Sequence, residues 1–244
     1  MVELDFFKKL ITNPFDNMTP EEIAAHDEEI KRQEAEQEKR ERIERYKKSG
    51  VPERYYTESL DTYQVTNEMQ KTAAQAIGDF LREIKCGAFR TLVLIGTAGT
   101  GKTHLACGTV REYGGKYATA PDIVEEIRRA KSFTANDTEA DIIDYYAHVS
   151  LLVIDEIGRG IAATDEKYML YQILNARYNT RKPTVLISNY KKADFLQYIG
   201  VAAADRLVES AEVWELNGES YRLDLRGAKC LKATTSSFLI CKAD

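Results

Sequence analysis

"LIGTAGTGKTHLA", residues 94–106, decides how the rest of the chain is read. An apolar run stops at a glycine, a small-residue loop follows, and a lysine and a threonine open an apolar helical segment. Gly96-Thr97-Ala98-Gly99-Thr100-Gly101-Lys102-Thr103 fits the pattern G-x-x-x-x-G-K-[ST]. Glycines let a backbone fold closely around phosphate oxygens and aim its N–H groups at them. The positive end of the following helix adds to the attraction. Lys102 is expected to reach the β- and γ-phosphates, and the Thr103 hydroxyl to hold Mg²⁺. Residues Gly96 through His104 are therefore the expected nucleotide-binding set, with ATP and Mg²⁺ as cofactors. A strand pattern before the loop and a helix pattern after it supply the context that a chance match lacks.

Beyond this loop, strand and helix patterns alternate. "TLVLIG" (91–96), "KYATA" (116–120), "VSLLVIDE" (149–156), "PTVLISN" (183–189) and "AEVWEL" (211–216) read as strands. "PDIVEEIRRA" (121–130) and "DEKYMLYQILNARYNT" (165–180) have helical spacing. Near-continuous apolar runs suit parallel strands buried on both faces. Alternation of strands and helices predicts an α/β fold, a parallel sheet with helices on both faces. Ligands of such sheets sit at the carboxyl ends of the strands, and three polar residues fall there. Asp155 is placed to complete the Mg²⁺ shell. Glu156 is placed to polarise an attacking water, because phosphoryl transfer depends on positioning and charge neutralisation. Asn189 could orient that water, although an asparagine at a strand end also serves simply to make a turn.

The 244 residues suit one α/β unit with an appendage. The net charge of −5 argues against a protein that coats duplex DNA nonspecifically. Cys86, Cys107, Cys230 and Cys241 form no CxxC pair, so neither a zinc site nor a disulfide framework is expected, and a cytoplasmic location is. No signal peptide and no membrane span are read. Residues 1–48 form a charged helical arm. Thr19, Pro20 and Glu22 provide a helix start, and Glu28–Arg32, Glu36–Arg40, Glu38–Arg42, Glu41–Arg45 and Glu44–Lys48 stand at i,i+4 with the acid first. Such a run is either a solvated linker helix or an arm that docks on a partner, with "LDFFKKLI" (4–11) as its apolar anchor. Residues 49–89 are a linker, broken by "SGVP" (49–52), and then a helix from about Asn67 to Ile84. The ATPase domain is expected at 90–226, and the tail 227–244 matches no pattern.

Together, "GTAGTGKTHLA", "LLVIDEIG", "PTVLISN", "ADRL" and "NGESYR", in this order, resemble the motifs of AAA+ ATPases, and more closely those of DnaC-type helicase loaders. The similarity runs from about Ser49 to Leu225. It implies the AAA+ sheet, with "TLVLIG" central and "KYATA" towards one edge. It implies an arginine finger at Arg206, reaching the γ-phosphate of a neighbouring copy, and a second sensor at Arg222, contacting nucleotide in its own subunit. Taken alone, an arginine such as Arg206 on an amphipathic helix is more often solvated or salt-bridged.

The resemblance further implies an ATPase that binds a hexameric replicative helicase through residues 1–48 and single-stranded DNA through the ATPase face. The local candidates for DNA contact are Arg128, Arg129, Lys131 and Phe133, a basic stretch that would equally suit a solvated helix face. The alternative is an IstB-type transposition helper, which assembles on duplex DNA and recruits a transposase. The acidic composition and the linker "SGVPERYYTESLDTYQVTNE" (49–68) favour the loader. A small-molecule kinase is disfavoured, since no lid of clustered arginines is present.

Overall fold

A computed structural model of the chain describes residues 19–65, 67–132, 137–160 and 163–218. The anchor at 4–11, Phe133, Arg222 and the tail from 227 lie outside the described residues. The chain divides into two compact units, Met1–Glu44 and Arg45–Asp244.

In the first unit lies most of helix α1 (Pro20–Lys48). The sequence dictates its start: Thr19 Oγ1 accepts the Glu22 N–H at 3.3 Å and the Glu22 carboxylate accepts the Thr19 N–H at 2.8 Å. This reciprocal box satisfies two donors that the first turn would otherwise leave open. Glu36 and Arg40 pair at 2.7 Å as their spacing predicts, while Arg32 takes Glu29, three residues back, at 2.6 Å. The apolar side chains of the helix are too sparse to form a stripe, so its residues up to Glu44 are almost all exposed.

Among the described residues, the second unit is built on five parallel strands: β1 (Thr91–Ile95), β2 (Lys116–Thr119), β3 (Leu152–Ile157), β4 (Thr184–Ser188) and β5 (Ala211–Glu215), in the order β2-β3-β4-β1-β5. Alternate side chains of a strand point to opposite faces, and here they feed two cores. Leu92 and Leu94 of β1, Val153 of β3, and Val185 and Ile187 of β4 face one core. It is closed by helices α2 (Glu68–Lys85) and α3 (Lys102–Tyr113). Val93 and Ile95, Leu152 and Ile154, and Leu186 face the other. That core is covered by α4 (Ala120–Ala130), α5 (Glu139–His148), α6 (Ala163–Asn179), α7 (Lys192–Ile199) and α8 (Val201–Val208). β1, β3 and β4 are thus covered on both sides, which is why their sequences run apolar without alternation. β2 is an edge strand, as expected. β1 is interior, between β4 and β5, but β4 holds the middle position.

α2 shows how local sequence sets an element. Asn67 caps it by accepting the Gln70 N–H at 2.9 Å, and Ala73, Ile77, Phe80, Leu81 and Ile84 repeat at helical spacing and are buried. α5 has an equally plain start: the Thr138–Asp141 capping box. Its far end is held by Arg177 of α6, which is 1% exposed. Arg177 donates to the carbonyls of Tyr146 (2.7 Å), Ala147 (3.2 Å), Val149 (3.0 Å) and Pro183 (2.6 Å), and to Thr184 Oγ1 at 2.8 Å. Burial pushes this guanidinium down to about 9, so it stays charged at neutral pH. A cation is favourable against the last carbonyls of a helix, and here one side chain ties the end of α5 to the start of β4.

Candidate active site

The carboxyl ends of β1, β3 and β4 lie side by side, and the loop after β1 turns straight into α3. Gly101, the residue before α3, has φ +92°, and a Cβ there would stand 2.5 Å from the Tyr63 ring, so only glycine fits. The N-cap residue Gly101 has no side chain with which to cap α3. The first N–H groups of the helix therefore remain at the loop, where an anion would find them. Lys102 is 5% exposed, and its Nζ donates to the carbonyl oxygens of Gly96 at 2.9 Å and Thr97 at 2.6 Å. Thr100 Oγ1 donates to the Thr97 carbonyl at 2.9 Å and closes the turn. Gly96 N–H is tied to the Tyr190 carbonyl beyond β4 at 3.1 Å.

The structure brings Thr103 and Asp155 together. Thr103 Oγ1 donates to Asp155 Oδ2 at 2.8 Å, fifty-two residues on in sequence. The same carboxylate oxygen accepts the Tyr117 hydroxyl at 2.8 Å, and Oδ1 accepts the Glu156 N–H at 2.6 Å. Mg²⁺ is a hard ion that proteins usually hold through one or two carboxylates, with water and substrate phosphate completing the shell. A hydroxyl and a carboxylate oxygen beside a phosphate loop fit that requirement. Burial and the Asp155 charge both push the Tyr117 phenol well above its usual range, so it remains a donor.

Glu156 sits where β3 departs from regular pairing with β4, between Ile154 and Ile157, and has φ +58°. That left-handed conformation costs a non-glycine residue of order 1–3 kcal/mol, and such strain collects at functional sites. It turns the Glu156 carboxylate towards Arg159, whose Nη1 donates to Oε1 at 3.0 Å. The intervening Gly158 is clamped: its N–H donates to Glu166 Oε1 at 2.7 Å and its carbonyl accepts the Tyr190 hydroxyl at 3.2 Å. Asn189 is exposed at the end of β4. Its neighbours hold the β3 loop, since Ser188 Oγ also donates to the Ile157 carbonyl at 2.7 Å.

Other candidates stand apart from this cluster. The His104 ring faces the linker, at 2.8 Å from the Ser59 carbonyl and 3.4 Å from Thr62 Oγ1. Arg206, on α8, donates to Asn175 Oδ1 at 2.9 Å and to Asp205 at 3.0 Å, with its guanidinium over the Tyr178 ring. Arg128, Arg129 and Lys131 each meet a carboxylate: Asp165 at 2.8 Å, Glu125 at 3.1 Å and Glu139 at 3.1 Å. Arg128 and Lys131 line a cleft of about 240 Å³ with Tyr168 and Met169.

Three contributors escaped the sequence reading. Tyr117 gave no signal, because only strand pairing brings it to Asp155. Arg159 stands three residues from Glu156, but the contact depends on the left-handed turn. The linker before α2 gave no sign that it clasps the site. Tyr63 donates to the Thr100 carbonyl at 3.2 Å, and Arg111 of α3 holds the carbonyls of Tyr56 and Glu58 at 3.1 and 3.0 Å. Burial pushes the Tyr63 phenol up to about 12.

Comparison with known proteins agrees with this architecture. The profile of the IstB-like ATP binding protein family matches residues 20–228. The replicative helicase loader DnaC of Buchnera aphidicola (subspecies Schizaphis graminum) is 28% identical over 186 residues, covering 74% of this chain and 75% of that protein. An insertion sequence IS5376 putative ATP-binding protein of Geobacillus stearothermophilus is 28% identical over 185 residues, 69% of each chain. The crystal structure of the DnaC helicase loader superposes with a TM-score of 0.61 at 22% identity, over 68% of this chain and 99% of that one. This last likeness establishes the AAA+ fold.

Proposed function

We propose, since the chain belongs to the IstB-like family of ATP-binding proteins, that it is an ATP-hydrolysing helicase loader. It would bind a replicative ring helicase and deliver it to single-stranded DNA. The observation that carries the ATPase half is the Thr103–Asp155 contact at the uncapped start of α3. In this reading the α3 N–H groups and Lys102 hold the phosphates, while Thr103 and Asp155 hold Mg²⁺. Bound there, the ion neutralises charge that develops on the phosphate oxygens. Glu156 takes the proton of the attacking water, and Asn189 orients that water. Arg206 is supplied by the next copy, exchanging its present partners for phosphate. A planar, permanently charged guanidinium suits that task.

The loader half is supported by relatives named replicative helicase loader, which this chain matches over about three quarters of their length. The match to an insertion-sequence protein at equal identity keeps a transposition helper as the second reading. Co-purification from native lysate with ATP separates the two. Recovery of a hexameric helicase supports the loader, and recovery of a transposase overturns it. The arm deletion that tests helicase binding should stop at residue 44. Tyr46 is 5% exposed in the second unit, and its hydroxyl donates to the Tyr55 carbonyl at 3.1 Å, so a cut at 48 would damage the core. Loss of helicase binding with retained ATPase activity is the expected result, and undiminished binding places the interface elsewhere.

A further inference from the structure

We infer that Tyr117 is a positioning residue for the metal side of the site, holding the Asp155 carboxylate in the orientation that Mg²⁺ requires. The inference rests on the reading of Thr103 and Asp155 as the Mg²⁺ pair. Asp155 receives three donors on two oxygens: Thr103 Oγ1 and the Tyr117 hydroxyl on Oδ2, the Glu156 N–H on Oδ1. Contacts on both oxygens fix the plane of the carboxylate. Thr103 is itself a candidate ligand and the Glu156 N–H is backbone, so Tyr117 is the side chain whose part in the site runs wholly through Asp155.

Tyr117 is built to stay in place. It is 4% exposed, in a strand whose register sets it opposite Val153 and Thr119 opposite Asp155. Its N–H donates to the Ser49 carbonyl at 2.8 Å. Its own carbonyl is approached so closely by Gly50 that a Cβ there would stand 2.3 Å away. The backbone of Tyr117 is thus fastened by the sheet on one side and by the chain leaving α1 on the other, and its side chain is buried. Hydrogen-bond partners that orient metal-binding side chains commonly change metal affinity 10–100-fold when removed.

The test is Tyr117→Phe in the full-length protein, which keeps the ring and deletes the donor. Binding of a fluorescent ATP analogue is followed as Mg²⁺ is titrated in from a chelator-treated solution. The expected result is unchanged affinity without Mg²⁺ and a Mg²⁺ half-saturation raised about 10-fold or more. Melting curves confirm that the variant is folded. In an Asp155→Asn background the second substitution should add nothing, because Tyr117 acts through that carboxylate. A Tyr117→Phe protein with the wild-type Mg²⁺ dependence overturns the inference and leaves the nucleotide site standing. Wild-type binding that ignores Mg²⁺ overturns both.

Discussion

Lys102→Ala separates two contributions that one side chain makes. In the structure its ammonium satisfies the carbonyls of Gly96 and Thr97, so the substitution first damages the protein without nucleotide. Loss of a charge-assisted bond to a buried carbonyl costs about 1–3 kcal/mol. For a unit of this size each kcal/mol lowers Tm by about 2–4 °C, giving a fall of about 2–12 °C. The second contribution is to the ligand. Removing a buried charge from its partner typically costs about 2–5 kcal/mol, or about 30-fold to several-thousand-fold in affinity. For the wild type, ATP at one hundred times Kd should add about 2.7 kcal/mol of stability and raise Tm by about 5–11 °C. At the same concentration the variant should keep at most about 0.9 kcal/mol of that, a shift of no more than about 3.5 °C. Differential scanning fluorimetry with and without ATP–Mg²⁺ measures both numbers in one experiment. A variant whose ATP-induced shift equals that of the wild type refutes the assignment of the loop, whatever happens to its baseline Tm.

Arg159→Ala frees Glu156 from an ion pair that is about half exposed on both sides. Such pairs hold up to about 1 kcal/mol, so steady-state turnover should rise by no more than about fivefold with ATP affinity unchanged; a fall in turnover would mean that Arg159 itself serves the reaction. Arg206→Ala should leave ATP affinity intact in equilibrium binding and remove the dependence of specific activity on protein concentration. Concentration-dependent hydrolysis that persists in the variant argues that no neighbour supplies this side chain.

Much of the sheet was legible because its strands carry their own signal. A strand covered on both faces must be apolar at every position, and β1, β3 and β4 are. Helix α5 carries a local signal at its start, the Thr138–Asp141 capping box, but its far end is held by Arg177 of α6, which only packing brings there. The phosphate loop was readable for a stronger reason: its chemistry lies in the backbone of consecutive residues, and glycine spacing dictates the backbone. The His104 side chain illustrates the limit of that argument. Its place in the motif is local, but its ring is taken by Ser59 and Thr62 of a linker some forty residues away.

By itself, then, the sequence determined the phosphate loop, the strand–helix alternation and the start of the charged arm, all of them consequences of neighbours within a few residues. Only the tertiary structure decided that Tyr117 and Thr103 share one oxygen of Asp155, that the turn at Glu156 brings its carboxylate to Arg159, and that Arg128 and Lys131 are matched by carboxylates of other helices. The reason is physical. A hydrogen bond or an ion pair needs its partners within about 3 Å, and for residues such as Tyr117 and Asp155 that proximity is created by strand register and helix packing, which no single segment encodes.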